Sequence, residues 1–141
     1  MTFSQGRSQS WWDRGVSNLE EVHRRLQGVR IVSGDCMSHL PDLDSPETCF
    51  YLDPPYVGVG RKIYRQYGLS DEHHEDLCRR IRRLRGKVVL SGYANPIYDS
   101  RLADWRVVTR PVSIHVGGVG RVKRVETLWL NFELSSRLCS R

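Results

Sequence analysis

Cys49-Phe50-Tyr51-Leu52 is a short apolar run that passes directly into Asp53-Pro54-Pro55-Tyr56. The run is β-prone, whereas the two prolines lack amide hydrogens and fix φ, so the backbone has to leave any sheet at that point. A strand with no polar alternation suits the buried sheet of an α/β domain. The stiff corner behind it then lies outside the carboxyl end of a strand, where open α/β sheets bind their ligands.

The rest of the chain agrees with that class. Ser17 can cap a helix carrying Leu19, Val22 and Leu26 on one face and stopped by Gly28. Val29-Arg30-Ile31-Val32 reads as a strand ending at Ser33-Gly34-Asp35, and a helical turn through Met37 and Leu40 is closed by Pro41. After the corner, Ser70 caps a helix predicted to run to about Leu84, with Leu77, Ile81 and Leu84 inward. Lys87 to Leu90 is a further strand, and Asn95 or Pro96 opens a brief helix through Tyr98 and Leu102. Trp105 to Thr109 begins the last strand pair: two apolar segments, 105–114 and 124–134, flank a Gly- and Lys/Arg-rich connection and read as a β-hairpin with a basic tip. The expected fold is an open α/β sheet with an antiparallel pair at its edge. Residues 1–15 read as an irregular arm, 16–134 as the folded part and 135–141 as a tail.

A chain of 141 residues suits one domain, and a net charge of +6 suits a protein that approaches a polyanion. The four cysteines form no CxxC pair, and no signal peptide or membrane-length apolar run is seen, which points to free thiols in a cytoplasmic protein. Cys49 and Cys78 are expected to pack in the core. His73 and His74 are adjacent and point in different directions on a helix, so no metal site is expected. Arginines 79, 80, 82, 83 and 85 read as a solvated helix face, and Glu126, in mid-strand, as the partner of Arg110 or Lys123.

The corner has chemical content. The Asp53 carboxylate and the Pro54 carbonyl are fixed acceptors, Pro55 keeps the turn rigid, and Tyr56 offers a flat ring beside them. That is a slot for a planar amine. An amino group on an aromatic ring is a poor nucleophile because its lone pair is delocalised. Two aimed acceptors that hold both N–H bonds favour a pyramidal nitrogen facing an electrophilic methyl, while the tyrosine stacks on a base extruded from its helix. A surface turn followed by a packing tyrosine is the plainer reading of the same four residues.

Four features in order, IVSGD, FYLDPPY, VVLSGY and a basic glycine loop leading into VETLWLNF, resemble the Dam-like DNA adenine methyltransferases of bacteria and phages over about Leu19 to Glu133. The resemblance implies a partial Rossmann-like methyltransferase sheet with a C-terminal antiparallel hairpin, S-adenosylmethionine as methyl donor, and double-stranded DNA as partner. By position, Asp53, Pro54, Pro55 and Tyr56 would form the catalytic slot. Ile31, Val32, Asp35 and Asp53 would border the donor, and Ser91, Gly92 and Tyr93 would support the target pocket. Arg121, Lys123 and Arg124 would face DNA phosphate, and Arg61, Lys62 and Arg65, in a loop interleaved with aromatics beside the slot, are further candidates for nucleic-acid contact. The family's FxGxG donor loop is absent from this sequence, so the chain corresponds to the C-terminal half of such an enzyme. It would be completed by a separate N-terminal half, or be an inactive truncated product. An RNA base methyltransferase and a DNA-binding remnant without turnover are the alternative functions.

Overall fold

A computed structural model describes residues 16–58, 68–116 and 120–134, the side chains of 114–116 excepted. The chain divides into two units, Met1–Gly34 and Asp35–Arg141. The first contains helix α1 (Leu19–Leu26), with Glu20 and Glu21 in its first turn and His23, Arg24 and Arg25 in its last, charges that suit the helix dipole. Asn18 rather than Ser17 holds the N-cap position, and its side chain makes no capping bond. The strand expected over Val29–Val32 is not formed; Ile31 is 91% exposed. Extended backbone becomes a strand only by pairing its N–H and C=O groups, and no strand pairs with this run among the described residues.

The second unit has the order α2 (Cys36–Leu43), β1 (Cys49–Leu52), α3 (Asp71–Ile81), β2 (Lys87–Tyr93), α4 (Pro96–Arg101), β3 (Arg106–Val116) and β4 (Gly120–Leu130). The strands form one mixed sheet in the order β1-β2-β4-β3, with β1 parallel to β2 and β4 antiparallel to both its neighbours. The α/β class and the terminal hairpin are therefore as expected, with the last strand inserted between β2 and the edge strand β3.

Local chemistry starts each helix. Asp35 accepts a hydrogen bond from the Met37 amide, Ser70 from that of His73 and Asn95 from that of Tyr98, where Pro96 occupies the first helical turn. Pro41 sits inside α2 rather than closing it; the helix is two residues from its end there and forgoes one bond. Helix α3 ends at Ile81, short of Leu84, because the chain tightens into i→i+3 bonds from the Arg83 and Leu84 amides.

The β1–β2 register is set by close approach. A Cβ on Gly86 would lie 2.8 Å from the Thr48 carbonyl oxygen and 3.0 Å from the Phe50 ring. The Asp44 carboxylate accepts from the Arg85 and Gly86 amides, and the Asn131 side chain takes the Val88 amide and donates to the Gly86 carbonyl. Phe50 thereby faces Val88. The core gathers Met37 and Leu40 from α2, Leu77, Cys78 and Ile81 from α3, and Tyr98 and Leu102 around α4 onto Phe50, Val88, Leu90 and Trp129 of the sheet. Within it, His74 Nδ1 lies 2.7 Å from the Tyr98 hydroxyl, and the Tyr98 ring meets Trp129 edge-on at 5.1 Å. Cys49 is exposed, not in the core: strand alternation puts it on the face opposite Phe50, together with Tyr51, which is 65% exposed. Among the described residues no helix is long and apolar enough to cross a membrane.

Candidate active site at the end of strand β1

Strand β1 ends at Leu52, and residues 53–56 follow in irregular backbone. Asp53 is exposed at this carboxyl end, but its carboxylate does not swing freely. Ser91 on the neighbouring strand β2 is 5% exposed, and its hydroxyl donates to Asp53 Oδ1 at 2.7 Å, with the Leu52 carbonyl oxygen 3.1 Å away. One carboxylate oxygen is thus held by the sheet. Parallel pairing of Leu52 with Leu90 is what brings residues 53 and 91 side by side.

Tyr56 is half-buried and meets Tyr93, the last residue of β2, edge-on at 4.6 Å. Burial, then the charge and hydrogen bonding of Asp53, and further the charge of Glu126, push the Tyr56 phenol up to about 12. It is therefore a neutral ring at physiological pH, its one hydroxyl proton directed at Asp53, suited to stacking and unsuited to taking a proton. The Arg124 guanidinium lies 5.8 Å from the centre of the Tyr93 ring, within cation–π range. Beyond Tyr93 opens a cleft of about 530 Å³, walled by Val57, Ala94, Pro111, Lys123 and Arg124 among others. That volume is in the range of small-molecule sites.

The structure brings together Asp53, Ser91, Tyr56, Tyr93 and Arg124. Gly92 belongs to the other side of the sheet, where a Cβ would meet the Trp129 and Tyr98 rings at 3.5 Å. Arg121 and Lys123 are exposed further along β4. Arg61, Lys62 and Arg65 lie outside the described residues, as do the 1–15 arm and the 135–141 tail. One expectation is corrected. Glu126 faces Arg110 across the β3–β4 ladder but forms no ion pair among the described residues; it stands opposite Tyr93 and its charge is felt at Tyr56. It is a site residue that the sequence reading missed, because its neighbours depend on a register the sequence does not display. Of the donor-bordering candidates, Ile31 and Val32 are exposed in the first unit without a strand, and Asp35 accepts the Met37 amide through Oδ1 as the cap of α2.

The helix arginines are largely neutralised. Arg79 and Arg80 pair with Asp76, Arg82 with Asp104 and Arg85 with Asp44. His74 points into the core, while His73 Nδ1 lies 2.7 Å from the Ser70 hydroxyl. No protein-family model matches the chain, and a search of curated proteins finds no relative.

Proposed function

We propose that this chain is the base-holding half of a DNA adenine methyltransferase of the Dam-like class, its sheet being the C-terminal part of a Rossmann-like methyltransferase fold. The reading rests on one observation above the rest: the Asp53 carboxylate is exposed at a strand end with one oxygen fixed by Ser91, beside the neutral Tyr56 ring. A carboxylate held this way accepts an N–H from an exocyclic amine, the Pro54 carbonyl is available for the second, and Tyr56 supplies the stacking plate. Fixing both N–H bonds before reaction is positional catalysis, with no proton removed in advance. S-adenosylmethionine supplies the methyl group when bound, and the FxGxG loop that would hold it is absent from this sequence. Activity therefore belongs to an assembly in the cytoplasm that includes a donor-binding segment. Base holding without turnover is the second reading, favoured by the commitment of Asp35 to the α2 cap.

The test is incorporation of labelled methyl from S-adenosylmethionine into duplex DNA by this chain together with its donor-binding partner, with nucleoside analysis of the product. N6-methyladenine is expected, and Asp53→Ala is expected to abolish it without weakening duplex binding. Undiminished incorporation by the variant contradicts the proposal.

A further inference from the structure

Strand alternation puts Ser91, Tyr93, Arg124 and Glu126 on one face of the sheet, since Ser91 pairs with Leu128 and Tyr93 with Glu126. Leu90 and Trp129 share a rung whose side chains point the other way, into the core beneath the helices. Arg124 lies beyond the last rung of β2, where β4 is paired with β3 alone through Val112↔Arg124. It is exposed, and Glu126 stands two residues away on the same face, yet Arg124 has no ion-pair partner among the described residues. Its guanidinium lies instead over the Tyr93 ring, 5.8 Å from the centre.

Tyr93 is also the ring that Tyr56 meets edge-on at 4.6 Å. Tyr56 follows two prolines in backbone that belongs to no strand, so no ladder orients it. Its hydroxyl, directed at Asp53, fixes the far end of the side chain but leaves the ring free to turn about its long axis, a torsion with a broad minimum. The edge contact with Tyr93 is what sets the plane. Cation, ring and ring therefore stand in series. A guanidinium resting on Tyr93 restrains that ring, and the restrained ring preorganises the plate on which a base stacks.

We propose that Arg124 is a positioning residue: through Tyr93 it sets the plane of the Tyr56 ring, so that it helps to hold the base as well as to attract phosphate. The inference deepens the base-holding reading and rests on it.

Equilibrium binding of the whole chain to two labelled DNA strands of abasic spacers, one carrying a single adenine and the other none, tests it. The strands have the same phosphates, so the ratio of their dissociation constants reports the base alone. Arg124→Ala is expected to shrink that ratio by about 2- to 5-fold, the range of one cation–π contact at an exposed site. Tyr93→Phe keeps the ring and is expected to keep the ratio. In a Tyr93→Leu background, Arg124→Ala is expected to shrink it no further. An equal fall in affinity for both strands in Arg124→Ala means a phosphate contact only and overturns the proposal. So does a ratio lost in Tyr93→Phe, or one that Arg124→Ala still shrinks in the Tyr93→Leu background. A ratio of one in the unaltered chain sinks the base-holding reading and this inference together, whereas a clear ratio untouched by Arg124→Ala sinks the inference alone.

Discussion

Ser91→Ala removes the hydroxyl that holds Asp53 and separates its structural contribution from its positional one. The hydroxyl has a single proton, directed at Asp53 Oδ1 at 2.7 Å, and the Leu52 carbonyl is the more distant acceptor at 3.1 Å. Ser91 itself is buried, but Asp53 is exposed, so water replaces the lost donor at the carboxylate. The stability cost is accordingly about 1 kcal/mol, below the about 1.5–3 kcal/mol of a hydrogen bond to a fully desolvated charged group, and Tm falls by roughly 3–5 °C. The effect on the slot is larger in proportion, because a displacement of about 1 Å in a positioning group costs on the order of 100-fold in a positional mechanism. Thermal melts give the first quantity. The second is the ratio of affinities for a single-stranded oligonucleotide containing one adenine and for the same strand containing N6,N6-dimethyladenine, which has no N–H to offer. Ser91→Ala is expected to shrink that ratio severalfold. If Tm falls as stated while the ratio stays at its original value, the hydroxyl is a structural group and the positional reasoning is wrong.

Burial holds the His74 imidazole below its usual value near 6.5, with the Asp71 charge opposing in part. The unfolded chain then binds more protons than the folded one between the folded pKa and about 6.5, so stability declines as pH falls through that window and levels off below it. Denaturant midpoints across the window test this against His74→Gln, which is expected to lose this component of the slope; an unchanged slope assigns it elsewhere. Gly86→Ala forces a methyl against the Thr48 and Ser45 carbonyl oxygens and the Phe50 ring, at 2.8–3.0 Å, and is expected to cost about 1–3 kcal/mol in denaturant unfolding. A neutral Gly86→Ala contradicts the close approach that sets the β1–β2 register.

The parts legible in the sequence were those decided by local chemistry. The proline corner after β1 and the Ser70 and Asn95 caps depend on residues within a few positions of one another, and the terminal strands follow one another directly in the chain. What depended on a distant partner was not legible. Val29–Val32 has the composition of a strand, yet no described strand pairs with it. Cys49 has the composition of a core residue, but the pleat assigns it to the exposed face. The glycine-rich connection looked like a long basic tip, whereas pairing extends to Val116↔Gly120, helped by a positive φ of 87° at Gly120 that a glycine accepts readily. Glu126 joined the Tyr56–Tyr93 pair only through the β2–β4 register.

Adenine discrimination in Asp53→Ala addresses the slot most directly. The unaltered chain is expected to prefer the adenine strand over the N6,N6-dimethyladenine strand by about 5–30-fold, corresponding to about 1–2 kcal/mol for N–H bonds to partly solvated acceptors, and Asp53→Ala is expected to lose most of that preference, keeping only the part due to the Pro54 carbonyl. Equal affinity of the unaltered chain for the two strands, or an undiminished preference in Asp53→Ala, contradicts the claim that this corner holds an exocyclic amine.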